Sequence, residues 1–229
     1  MKPILLLHGA LGSKSQFAEI SEILSQKYEV FTFDFTGHGA NPLPETQFTI
    51  ETFAQDISVF MRANGLDGTD IFGYSMGGYA ALYASAAGLI NAGRIFTLAT
   101  KFEWNVEIAA REAKMLDAGK IKQKVPAFAE ELAARHGSSK WESLLGMTRE
   151  MVKRLGDKNP LNNEMLAKVN NEVLVSIGDR DKMVSLEETI AAYRAIENGS
   201  LLVLPKTEHP IERVDIQRLT HEMKTFFGK

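Results

Sequence analysis

The chain has 229 residues, 45% of them hydrophobic and 24% charged, with a formal net charge of −3. That balance fits a globular domain with a sizeable core and excludes a disordered tract or a basic nucleic-acid binder. The absence of cysteine excludes disulfides and thiolate-bound metals and agrees with a reducing compartment. No apolar run approaches the roughly 18 residues of a membrane span. The start Met1-Lys2-Pro3 leads straight into a short apolar run and a turn, unlike a signal peptide. The expectation is a cytoplasmic protein with no nucleic-acid or membrane partner.

Taken in chain order, short β-rich runs alternate with longer helical patterns. The predicted strands are Ile4–Leu7, Glu29–Asp34, Asp70–Tyr74, Arg94–Ala99, Val173–Ile177 and Leu201–Leu204. Most are nearly continuous apolar runs, the pattern of parallel strands covered on both faces. Helical periodicity falls between them at Phe17–Gln26, Thr49–Asn64, Gly77–Ala87, Leu186–Glu197 and Ile211–Phe227. The alternation predicts an α/β fold, a parallel sheet flanked by helices.

The rhythm breaks once. About 70 residues separate the strand at Phe96 from the strand at Leu174. The segments 106–118, 121–136, 139–156 and 163–169 read as amphipathic helices, punctuated by Gly119, Gly137, Gly156 and Pro160. Ser138-Ser139 followed by Glu142 resembles a capping box. The chain therefore divides into a core, 1–100 with 171–229, and a helical insertion, 101–170. The insertion carries 13 basic and 10 acidic residues, while the rest carries 13 and 19. A basic insertion over an acidic body either attracts an anionic substrate or is a solvated helical surface, and the second is the commoner case.

The strongest local signal is Gly73-Tyr74-Ser75-Met76-Gly77-Gly78, between an apolar strand and a helical pattern. A sharp strand-to-helix turn holds a serine exposed at the positive end of a helix, and glycines two residues either side avoid collision with that turn. A serine hydroxyl needs a base. Of five histidines, His8 and His38 precede glycine at strand ends, His136 lies in the insertion and His221 lies in the last helical pattern. His209 follows the final strand and precedes Pro210, where a loop reaches the carboxyl edge of the sheet. The orienting acid is Asp181 or Asp179, after the strand Val173–Ile177; an acid directly after the strand and glycine is the more readily tied up in the turn, which favours Asp181. The glycine-rich turn Gly9-Ala10-Leu11-Gly12 aims backbone N–H groups at one point, so the N–H of Ala10 and of Met76 are the expected oxyanion donors.

With these residues assembled, the chain resembles the α/β-hydrolase superfamily over about 1–100 and 171–229. His8-Gly9 matches the family's HG turn, Asp34-Phe35-Thr36-Gly37-His38-Gly39 its D-x-x-G-H-G segment, and Gly178-Asp179-Arg180-Asp181 its G-x-x-D. The resemblance selects Asp181 over Asp179, makes His38 structural and makes 101–170 a cap over the site. It also implies that the family's first two strands are missing. The expected sheet then has about six strands, with Val30–Phe33 at an exposed edge covered by a helix or by a second subunit. The protein is thus expected to be a monomer or a homodimer.

The implied activity is a serine hydrolase acting on a small ester or related acyl compound, with catalytic residues Ser75, Asp181 and His209 and no metal or organic cofactor. Tyr74, Trp104 and Trp141 are candidate substrate contacts, and Met115, Phe128, Leu145 and Met151 further pocket candidates. The segment Gly73–Gly78 also resembles the menaquinone-pathway synthase of the superfamily, a lyase that carries arginine where this chain has Tyr79. Carbon–carbon bond hydrolases and slow-turnover receptors of the same fold are the remaining alternatives.

Overall fold

The computed structural model describes residues 1–228. Six strands form one parallel sheet: β1 (Lys2–Leu7), β2 (Tyr28–Thr32), β3 (Thr69–Tyr74), β4 (Ala92–Leu98), β5 (Val173–Gly178) and β6 (Gly199–Leu204), in the order β2-β1-β3-β4-β5-β6. Alternate side chains of a strand face opposite ways. Ile4 and Leu6 of β1 pack with Phe72 and Phe96 against α1 (Ala18–Leu24) and α10 (Ile216–Phe227). Leu5 and Leu7 pack with Ile71 and Val175 against α2 (Ile50–Ala63), α3 (Met76–Ala86) and α9 (Leu186–Ala195). The sheet is therefore buried on both faces, as its apolar runs require.

Chain direction across the sheet reverses at β1, which pairs with both β2 and β3. Such a switch point opens a crevice beyond the carboxyl ends of the strands. The glycine turn after β1 and Ser75 after β3 both stand at that crevice.

Residues 101–170 hold α4 (Val106–Met115), α5 (Ala118–Lys124), α6 (Pro126–His136), α7 (Trp141–Asp157) and α8 (Asn163–Leu166). Several side chains fasten this layer to the core. Lys140 Nζ donates to the carbonyls of Gly39 and Asn41, Arg154 to that of Phe48, and Tyr79 shares a hydrogen bond with Asn159.

Three expected elements differ. The helix expected over 121–136 is two helices, because Pro126 lacks an N–H and starts a new helix at its first position. The capping box at Ser138-Ser139 does not form: α7 starts at Trp141 without a side-chain cap, and Glu142 pairs with Lys122 at 2.6 Å instead. The last helical pattern is a 3₁₀ turn, Ile211–Arg213, followed by α10, whose cap Asp215 accepts the Arg218 N–H. At the exposed edge, β2 pairs only with β1. Phe33 beside it stacks on Phe60 of α2 with ring centroids 4.6 Å apart, so a helix of the same chain covers that aromatic. Among the described residues, no helix is long and apolar enough to cross a membrane.

Candidate active site

Ser75 sits between β3 and α3 with φ 51° and ψ −116°. A non-glycine residue held there costs about 1–3 kcal/mol. Backbone bonds hold it: its N–H donates to the Leu98 carbonyl at 2.8 Å, and its own carbonyl accepts from the Tyr79 N–H and the Thr100 hydroxyl, each at 3.1 Å. The glycines are required by close approach. A Cβ on Gly73 would lie 2.4 Å from Gly78 Cα, and one on Gly77 would lie 2.4 Å from the Leu7 carbonyl oxygen. The start of α3 thus packs directly on the end of β1, and the N–H of Met76, at the first helical position, has no partner within the helix.

His209 comes from the loop after β6. Its Nδ1 lies 2.7 Å from Asp181 Oδ2, and the Asp181 side chain is 1% exposed. The other carboxylate oxygen of Asp181 accepts the N–H groups of Met183 and Val184 at 2.8 and 2.9 Å. These fix the carboxylate, so the imidazole donates from Nδ1 and leaves Nε2 as its acceptor. Asp179 has a different task. Its carboxylate accepts the Thr207 N–H at 3.2 Å and ties the loop after β5 to the loop after β6.

Ser75 and His209 both line one cavity of about 670 Å³, together with Ala10, Met76, Tyr74 and Trp104. Its far wall, from the insertion, is largely apolar and includes Leu116, Ile121, Phe128 and Met151. Met115 also lines it and is exposed. Asp181 lies behind His209. Tyr74, expected to contact substrate, donates its hydroxyl to the His209 carbonyl at 3.0 Å, and burial pushes that phenol far above its ordinary range. Trp104 has its indole N–H buried without a hydrogen-bond partner. Trp141, also expected to contact substrate, stands elsewhere. It opens α7 on that helix's apolar face and packs into the core with Leu144 and Leu145, off the cavity wall, with Lys122 over its ring. Leu145 is off the wall for the same reason.

Tyr79 lines the cavity, but its hydroxyl is taken up by Asn159 and by the Leu161 N–H at 3.1 Å. It joins α3 to the insertion and supplies no cation.

The turn after β1 is held by His8 and His38, which belong to motifs in the sequence, and by His136, which belongs to none. Gly12 N–H closes it onto the Gly9 carbonyl at 3.1 Å, and Leu11, at the third position, has φ 58°. This is the pattern of a type II turn, which normally places glycine there. Three buried imidazoles surround it. His38 Nε2 accepts the Leu11 N–H, His8 Nε2 accepts the Phe35 N–H, and His136 Nδ1 accepts the Gly39 N–H. Each second ring nitrogen donates to a carbonyl: His38 to Thr36, His8 to Gly9, His136 to Leu11. All three are therefore neutral, each in one tautomer. Burial is the main cause that depresses each, His8 to about 3.

With this geometry in place, the comparisons decide the family. The profile of the alpha/beta hydrolase fold matches residues 2–169. The chain belongs to the α/β-hydrolase fold family. A "Probable alcohol acetyltransferase" of Wickerhamomyces anomalus is 37% identical over 78 residues, 33% of this chain and 23% of that protein. The chain spans only about a quarter of the length of the curated relatives it matches. Among solved structures, a thermophilic esterase from Thermogutta terrifontis superposes with a TM-score of 0.76 at 22% identity, over 99% of this chain and 89% of the other. An enol-lactonase from Burkholderia xenovorans gives 0.79 at 18% identity, over 100% and 92%. Hydrolases are thus the chain's structural neighbours, and the fold is theirs.

Proposed function

We propose that this α/β-hydrolase cleaves a small ester or related acyl compound through an acyl-enzyme on Ser75. One observation carries the reading: on the wall of a single cavity, a strained serine shares space with an imidazole whose other nitrogen is held 2.7 Å from a buried, fully engaged carboxylate. His209 Nε2 takes the Ser75 proton as Oγ attacks the carbonyl carbon. Asp181 keeps the imidazole in the correct tautomer and stabilises the imidazolium. The N–H groups of Ala10 and Met76 bind the oxyanion; loss of one such donor elsewhere costs about 10²–10³ in kcat. His209 returns its proton to the leaving group, and water, activated by the same base, releases the acid and regenerates Ser75. Residues 101–170 act as the cap, excluding bulk water from the cavity. The substrate is a small molecule, and acyl chemistry also appears in the names of the relatives: an acetyltransferase, an esterase and a lactonase.

The test is intact mass after fluorophosphonate treatment. Wild type gains a single adduct and Ser75→Ala gains none, with p-nitrophenyl ester turnover falling about 10⁴-fold or more in the variant. A folded wild type that takes no adduct and cleaves no ester removes the reading and moves the lyase and receptor alternatives ahead.

A further inference from the structure

The cap does more than cover the site, because it also reaches the turn that carries Ala10. Leu11 follows Ala10 and sits at φ 58°, a conformation its side chain disfavours. The turn bond from Gly12 to Gly9 leaves the Leu11 peptide groups free, and both are captured by distant side chains. The N–H goes to His38, at 3.3 Å. The carbonyl accepts twice from the end of α6: from His136 Nε2 at 2.9 Å and from Arg135 at 3.1 Å. His136 is itself oriented, since its Nδ1 accepts the Gly39 N–H at 3.0 Å. Arg135 also reaches Glu212, three residues after His209, at 3.4 Å. The last two residues of one cap helix therefore hold the oxyanion turn and touch the loop that carries the base.

We propose that Arg135 and His136 are positioning residues that set the Ala10 N–H for the oxyanion by clamping the Leu11 carbonyl, so that a seated cap and an assembled oxyanion site are one state. This rests on the reading of Ser75 as nucleophile and Ala10 as oxyanion donor. A misaimed donor weakens binding of the developing oxyanion while leaving the ground-state ester little affected. Substrate entry that lifts α6 would loosen the turn, and reseating α6 would restore it, so catalysis would be confined to the closed site.

The test uses His136→Phe, His136→Gln and His136→Asn in the full chain. Glutamine carries its amide nitrogen about where Nε2 stands and keeps the Leu11 bond. Asparagine reaches only as far as Nδ1 and keeps the Gly39 bond. With p-nitrophenyl acetate, kcat falls about tenfold or more in the Phe and Asn variants, a fraction of what loss of a whole oxyanion donor costs, while KM stays within about twofold. The Gln variant retains most of kcat. Binding of a phenylboronic acid, which mimics the tetrahedral adduct, weakens in parallel with kcat. In a Leu11→Gly background the cost of His136→Phe shrinks, because glycine holds the turn without the clamp. Equal kcat in all three variants, or losses that follow thermal stability alone, overturns the proposal. Amide exchange of residues 8–16 separates it from the reading beneath it. Faster exchange in His136→Phe, in a protein that cleaves no ester, keeps the clamp and removes the hydrolase. Unchanged exchange and unchanged kcat in an active hydrolase remove the clamp.

Discussion

Of the four non-glycine residues at positive φ among the described residues, two line the cavity, Ser75 at 51° and Leu11 at 58°, and they are held from different parts of the chain. Ser75 is held from within the core: β4 takes its N–H, and the next turn of α3 and Thr100 take its carbonyl, while the flanking glycines let strand and helix meet. Leu11 is held by His38 of the core and, across the chain, by Arg135 and His136 of the insertion, more than 120 positions on. The strain at Ser75 is thus held by the core, whereas the strain at Leu11 is held in part by residues 135 and 136 of the insertion, on which the proposed clamp rests. His209, like Ser75, is held from within the core, by Asp181, 28 residues away.

The largest test of that division is the acid. Asp181→Asn leaves the elbow untouched and removes the carboxylate that selects the His209 tautomer. Turnover of a p-nitrophenyl ester should fall about 10⁴-fold, the loss seen when an equivalent acid becomes an amide, with thermal stability close to wild type. Asp179→Asn touches only the loop-to-loop bond to Thr207 and should leave turnover within a few-fold. The reverse ranking would assign the acid to Asp179 and leave Asp181 a turn residue.

The same contrast explains what the sequence made legible. The elbow is specified by neighbours in the chain, so Gly73, Ser75 and Gly77 point to it directly. The six strands are legible because burial on both faces demands apolar runs, and position after β5 narrows the acid to Asp181 or Asp179, between which the resemblance to G-x-x-D chooses. The clamp on Leu11 was not. His136 carries no local pattern beyond the end of a helix, and its role exists only once α6 lies on the turn. The identity of the cavity wall was equally hidden, since periodicity finds the apolar face of α7 but not whether that face meets the cavity or the core. Trp141 and Met151 share that face; Met151 lines the cavity and Trp141 packs into the core.

A smaller effect, spread over several groups, comes from pH. His8, His38 and His136 are held neutral in the fold, with folded pKa values below the ordinary 6.5 and that of His8 near 3. Between those limits the unfolded chain binds protons that the folded chain refuses, so folding loses stability as pH falls. Their contribution is intact above about pH 6.5 and is lost progressively toward pH 3. Denaturant midpoints measured across that window should decline steadily, and imidazole nitrogen shifts of His8 at pH 5 should still report a neutral ring. A His8 ring cationic at pH 5 in the folded protein would break the account of how the turn is held.

The smallest effect separates two roles for Tyr74. Its place beside Ser75 and its exposure to the cavity suit a substrate contact, yet its hydroxyl is spent on the His209 carbonyl at 3.0 Å. The ring lies beside the His209 ring, with centroids 5.7 Å apart. Tyr74→Phe keeps the ring and deletes that bond, which should cost about 0.5–1.5 kcal/mol of stability. If the bond holds the base in place, kcat falls a few-fold for every ester tried, because the His209 loop gains freedom whatever the acyl group. If the hydroxyl serves substrate instead, KM rises with kcat kept, and only for esters that carry a hydrogen-bonding group. A KM effect of that kind would return Tyr74 to the substrate side of the site and leave the His209 loop to its bonds with Asp179 and Asp181.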